Sequence, residues 1–133
     1  MTRPLIVFST VCALSAASPS DSVFTLMVCP TGDQRPRNSE GDVVKLKNGR
    51  LLLADSEFVG ADGSDFGAAR LGAKTSRDGG HSWSPPYVLV PNEGKMNVTS
   101  RSLLRPHSGK LAFTYTIKNS QSDNQIWFRV SSR

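Results

Sequence analysis

Two cysteines and two histidines are all that the 133 residues provide, and their placement excludes several chemistries. No Cys/His spacing suits a zinc site, and no metal or other cofactor is expected. Cys12 falls in the apolar N-terminal stretch, so a mature chain keeps Cys29 alone and forms no internal disulfide. Neither histidine lies near Cys29 in sequence, which makes it a small buried or half-buried residue rather than a nucleophile. His81 and His107 stand in turns and read as surface residues rather than bases.

Long hydrophobic runs are equally scarce. Only Leu5 to Ala17 is apolar or small throughout, and about 13 such residues are too few to cross a bilayer. With Arg3 ahead of it and Ser15-Ala16-Ala17 closing it, residues 1–17 have the form of a cleavable secretory signal. The mature chain, 18–133, is then expected outside the cell or in the periplasm, with no membrane attachment. Runs of like charge are absent too. The formal charge is +5, but the sixteen Lys and Arg stand singly, with no basic helix and no basic run interleaved with aromatics. That pattern describes a solvated surface and excludes a nucleic-acid interface, while leaving anionic sugars compatible.

Helical periodicity is weak everywhere. What the sequence does contain is a series of short β-prone runs, among them DVVKL, RLLLADSEF, ARLGAKTS, YVLVP, RSLLR, KLAFTYTIK and QIWFRVS. Asn48-Gly49, Asp78-Gly79-Gly80, Pro85-Pro86 and Ser108-Gly109 separate them, residues that favour positive φ or fix it near −65°. KNGR and HSGK sit between such runs as hairpin turns. The chain is all-β.

The sequence also repeats itself. Val43-Val44-Lys45, Asn48-Gly49-Arg50-Leu51 and Leu53 recur sixty residues later as Leu103-Leu104-Arg105, Ser108-Gly109-Lys110-Leu111 and Phe113. Thr75-Ser76-Arg77 returns as Ser131-Ser132-Arg133 if one connecting loop is four residues shorter. Repeats built of several short strands indicate stacked or radially arranged sheets, and a four-stranded propeller blade fits best.

One motif adds chemistry of structure. Ser76, Asp78, Gly80 and Trp83 fall at the spacing Ser-x-Asp-x-Gly-x-x-Trp. Asp can bond amides of its own turn, Gly supplies left-handed backbone, and Trp packs the turn on a sheet. On this motif and the repeat, the chain resembles the sialidases with their Asp-box (bacterial neuraminidase) repeats. The resemblance implies about two blades of a six-bladed β-propeller: blade 1 at about 37–95, with strands near 41–47, 50–58, 67–76 and 83–90, and an incomplete blade 2 at about 96–133 beginning near Thr99. A second box would then have its Asp one residue past Arg133.

The resemblance further implies a secreted exo-acting glycoside hydrolase that removes terminal sialic acid from glycans. Such enzymes hold the sugar carboxylate with three arginines and use an Asp as acid/base. Their nucleophile is a Tyr activated by a Glu, an exception among glycosidases. The Tyr, the Glu and the remaining arginines would lie outside this chain. Arg37 stands at the first arginine, although Arg-Asn-Ser replaces the family's Arg-Ile-Pro. Asp65, in the Gly60-Ala61-Asp62-Gly63-Ser64-Asp65 loop, stands at the acid/base, with Asp62 as the alternative; the acidic spacing lacks the ligand set of a calcium loop. Met96 and Asn97 stand at pocket positions, and Asn97-Val98-Thr99 is also a glycosylation sequon. Phe58 occupies the place of the second arginine, so Glu40, Asp42 or Glu57 could instead serve a neutral sugar. A non-catalytic propeller that binds carbohydrate or protein is the competing expectation.

Overall fold

A computed structural model describes residues 23–131. The expected signal segment 1–17 with Cys12 lies outside the described residues, as do Ser132 and Arg133. The described residues hold seven strands and no helix: β1 (Arg37–Lys45), β2 (Leu51–Phe58), β3 (Ala69–Ser76), β4 (Tyr87–Val90), β5 (Asn97–Leu104), β6 (Ala112–Lys118) and β7 (Asn124–Val130). They form one sheet in the order β1-β2-β3-β5-β6-β7, with β4 paired to β3.

The turn residues act where they were expected. Gly49 takes φ +83° and its amide bonds Leu46 O at 3.0 Å, closing the β1–β2 hairpin. Gly109 takes φ +72° and its amide bonds Pro106 O at 2.8 Å between β5 and β6. β4 is shorter than the run expected from residue 83. The Ser84 amide still bonds Thr75 O at 2.8 Å, but Pro85 and Pro86 have no N–H to donate, so the ladder resumes only at Tyr87. β1, by contrast, starts earlier and takes in Arg37.

The sixty-residue repeat holds pair by pair. Arg37 pairs with Phe58 and Asn97 with Lys118; Val44 pairs with Leu52 and Leu104 with Ala112, each number displaced by 60. Both ladders also slip at the same place, between Ser39 and Asp42 and between Thr99 and Ser102. Each slip holds one non-glycine residue in the left-handed region, Glu40 at φ +54° and Ser100 at φ +53°. The next ladder is displaced differently. Leu52 pairs with Thr75 and Ala112 with Val130, so β7 follows β3 by 130 − 75 = 55. The cause is the β6–β7 connection, 119–123, which is five residues shorter than the β2–β3 connection, 59–68. This corrects the four-residue shortening read from the sequence. The Ser131 amide bonds Leu111 O at 2.7 Å, where Ser76 stands opposite Leu51. Ser131 therefore answers to Ser76, where the sequence match set it against Thr75; the expected second box lies outside the described residues.

Side chains alternate across each strand, and this alternation builds the core. Leu52, Ala54, Leu71 and Ala73 leave β2 and β3 on one face; Leu71, with Val90 of β4, meets Val98, Tyr115 and Ile117 of β5 and β6, while Leu52, Ala54 and Ala73 form a second cluster with Leu103 and Leu111 packed against it. Burying each large member stabilises the chain by about 1.5–3 kcal/mol. The two groups of strands join edge to edge at a single parallel pair, Ala69 with Asn97. The opposite face of β1–β3 lies under the segment that precedes β1. There Lys74 Nζ bonds Val28 O at 2.5 Å and Asn38 Nδ2 bonds Cys29 O at 3.0 Å. On β7 the counterparts of buried Leu71 and Ala73 are Ile126 and Phe128, exposed at 81% and 56%.

Candidate functional site

Where β3 meets β5, a cleft of about 360 Å³ opens, lined by Arg37, Glu40, Phe58, Asp65, Asn97, Thr99, Ser100, Thr116, Lys118 and Asn124. Of the residues singled out from sequence, Arg37, Asp65 and Asn97 meet here, together with Glu40 and Phe58. Arg37 opens β1, and its guanidinium lies 4.4 Å over the centre of the Phe58 ring on the neighbouring strand. A cation on an aromatic face is held without being neutralised, which leaves the donors of Arg37 to point into the cleft. NH1 donates to Asp65 Oδ1 at 2.6 Å and to Gly63 O at 3.3 Å.

Asp65 sits on the 59–68 connection, which other residues fasten. Asn97 donates through Nδ2 to Asp65 O and to Gly67 O, both at 3.0 Å. Lys118 Nζ, 4.4 Å from the centre of the Phe66 ring, donates to Asp65 O at 3.4 Å. Gly67 has to be glycine, since a Cβ there would lie 2.2 Å from Asp62 O. Asp62 is spent within the loop, accepting from the Ser64 amide at 2.8 Å and the Ser64 hydroxyl at 3.1 Å. The Asp65 side chain, by contrast, is 73% exposed.

Asn97 is wholly buried, with both amide hydrogens engaged on the loop and Oδ1 without a partner. A glycan on its Nδ2 is incompatible with this packing, so the sequon is silent in the folded chain. Met96, beside it, does not line the cleft; its amide bonds Lys118 O at 3.0 Å.

Of the charged residues that line the cleft, only Arg37 and Asp65 form an ion pair among the described residues. Arg37 holds the Asp65 carboxyl below the usual aspartate range, first by its hydrogen bond and then by its charge, with Lys118 adding to the effect. Burial pushes the Glu40 carboxyl up, but hydrogen bonds from the Ser56 hydroxyl and from the Ser100 amide and hydroxyl, with the charge of Arg101, outweigh it and bring it below the usual glutamate range. Arg101 is buried and donates to Ala54 O and, at 3.4 Å, to Ser39 O and Ser56 Oγ. Lys118 forms no ion pair among the described residues.

Two acids considered for a neutral sugar do not reach the cleft. Glu57 leaves β2 on the face opposite Phe58, as the two-residue period requires, and is locked between Arg35 at 3.0 Å and Arg70 at 2.9 Å. Asp42 accepts the Leu103 amide at 2.7 Å and ties β1 to β5. Lys118, Ser100 and Arg101 were not singled out in the sequence. The repeat carried a signal for Lys118, which is the counterpart of Phe58.

The Ser76–Trp83 turn lies at the other end of β3, roughly 23 Å from Ala69 at ~3.3 Å per residue. Asp78 accepts the Ser82 amide at 2.9 Å, the Ser82 hydroxyl at 2.5 Å and the Ser76 hydroxyl at 2.8 Å. Those bonds, led by Ser82, hold its carboxyl far below the usual range. Ser76 Oγ receives the Gly80 amide at 2.9 Å, Gly79 and Gly80 take φ +71° and +101°, and Trp83 Nε1 donates to Gly80 O at 2.9 Å. Every group of the motif is spent on the turn itself. His81 is exposed and stacks on Phe24 at 4.0 Å between ring centres.

Cys29 is half-buried on the outer face, where burial, and then Asp55, push its thiol up to about 11. Among the described residues no group of three or more His, Cys, Asp or Glu could hold a metal ion. No protein-family model matches the chain, and no curated protein matches it.

Proposed function

We propose that this chain is part of a sialidase-type β-propeller, secreted or periplasmic, whose cleft takes the carboxylate of a terminal acidic sugar on a glycan. In this reading β1–β4 and β5–β7 are two blades. The common ladder register supports it, as do the matched slips at Glu40 and Ser100 and the open face of β7, which has the form of a surface made for another such sheet. Arg37 binds the carboxylate and Asp65 is the acid/base. It gives a proton to the glycosidic oxygen as the bond to the anomeric carbon breaks, and takes one from the water that replaces the leaving group.

The observation that carries this reading is the convergence of Arg37, Asp65 and Asn97 on one cleft from three separate elements. A guanidinium suits a carboxylate because its fork of donors matches two oxygens. Hydrolysis of a fluorogenic sialoside by the protein and by its Asp65→Ala variant tests it. Loss of turnover on substitution is expected, and equal turnover by both removes Asp65 from the mechanism.

A second reading, a non-catalytic propeller that binds carbohydrate, has its own support. Phe58 lies beneath Arg37 where a second arginine would be. Binding without turnover in the same assay favours it.

A further inference from the structure

We propose that the Asp65 carboxylate is a resident substitute for the ligand's carboxylate on Arg37, and that an acidic sugar binds by displacing it, which sets Asp65 free to act only once the sugar is in place. The inference rests on the acidic-sugar reading of the cleft and adds an order of events to it.

Three observations carry it. The 2.6 Å contact between Arg37 NH1 and Asp65 Oδ1 is the contact a ligand carboxylate would make, so the two anions compete for one donor. The Asp65 side chain is largely in solvent, and among the described residues no hydrogen bond but that from Arg37 holds its carboxylate, so it can swing away at small cost. Its backbone stays behind, because Asn97 and Lys118 both donate to Asp65 O and Asn97 also to Gly67 O. Displacement is therefore a rotation of one side chain on a fixed loop rather than an opening of the loop.

The consequence for chemistry follows from what surrounds Asp65. Arg37 faces it from β1 and Lys118 from β6, while Asp62, on the same loop, is occupied by Ser64. While paired with Arg37, the carboxyl is held ionised and gives up no proton near neutrality. Once a ligand carboxylate takes its place, Asp65 loses the cation's hydrogen bond and gains an anion as neighbour, and both changes favour the protonated form that an acid catalyst needs. A neutral sugar leaves the pair intact and the acid disarmed.

The experiment compares binding of N-acetylneuraminic acid and of its methyl ester by the protein and by its Asp65→Asn and Asp65→Ala variants, followed by isothermal titration at pH 7. Both variants are expected to bind the acid more tightly, by about fivefold, the size that release of an exposed ion pair allows, with binding of the ester unchanged. Equal affinity of wild type and variants for the acid overturns the inference and leaves the acidic-sugar reading standing. Tighter binding of acid and ester alike also overturns it, since that reports a wider cleft rather than a freed guanidinium. Absence of acid binding in all three proteins overturns the acidic-sugar reading itself.

Discussion

Glu40 and Ser100 stand at corresponding positions of the two repeats, both in left-handed backbone, and they are bonded to each other. Glu40 Oε2 accepts the Ser100 amide at 2.9 Å and Oε1 accepts its hydroxyl at 3.0 Å. Ser56 Oγ completes the cluster, donating to Oε2 at 2.8 Å. A left-handed conformation costs a non-glycine residue about 1–2 kcal/mol, and these bonds offset that cost where the two strand groups approach beside the cleft. Glu40→Ala is expected to destabilise the protein by about 1–2 kcal/mol in chemical denaturation, from the bonds it forfeits.

The same carboxyl gives a pH dependence with a definite sign. Its value in the folded protein lies below the ordinary 4.5, so the unfolded chain takes up the proton first as pH falls. The stabilisation is therefore full above about pH 4.5 and is lost as pH drops through the lower folded value. Melting temperatures measured between pH 3 and 6 are expected to fall on the acid side, with a shallower slope in Glu40→Gln. An identical slope in that variant contradicts the assignment.

Asn97 pins the 59–68 connection with both hydrogens of its amide. Asn97→Asp turns those donors into an anion facing two carbonyls, and a loss of about 2–3 kcal/mol is expected, as for a buried polar group set against the wrong partners. Produced in a eukaryotic secretory host, the folded protein is expected to carry no glycan at Asn97, which intact-mass measurement checks.

Gly67→Ala is expected to disturb the cleft more than the fold. The added methyl meets backbone at Asp62 O, so the loop has to move, and with it Asp65. Overpacking of this kind costs about 1–3 kcal/mol, and the Arg37 side-chain resonance is expected to shift in NMR spectra while those of the core methyls of Leu71 and Val98 stay in place.

The Cys29 thiol, raised to about 11, is expected to be nearly inert. At pH 8 about one molecule in a thousand carries the thiolate, so a colorimetric disulfide reagent reacts slowly with the native protein and at once in denaturant. Prompt labelling of the native protein contradicts the burial.

The strands and hairpins were legible in the sequence because turn chemistry is local. Asn48-Gly49 and Ser108-Gly109 say where chains reverse, whatever surrounds them. The sixty-residue register was legible from the repeat of those turns and their flanking strands, and with it the correspondence of Arg37 with Asn97. The bulges were not, since nothing in Ser39-Glu40-Gly41 announces that Glu40 takes the positive φ rather than the glycine beside it. That choice depends on Ser100, sixty residues away. Lys118 and Arg101 also depend on packing between strand groups, and the pairing of Arg37 with Asp65 depends on the course of the 59–68 connection. The offset of β7 was misread by one residue because Ser-Ser-Arg resembles Thr-Ser-Arg as letters, whereas the ladder counts from Leu111.

The most direct test of the acidic-sugar cleft is a titration of the ¹⁵N-labelled protein with N-acetylneuraminic acid, followed by NMR. Saturable shifts gathered at the Arg37 side chain and at the amides of Asp65, Asn97, Ser100 and Lys118, and abolished by Arg37→Ala, are the expected result. Shifts scattered over other faces, or binding that Arg37→Ala leaves intact, would contradict the account.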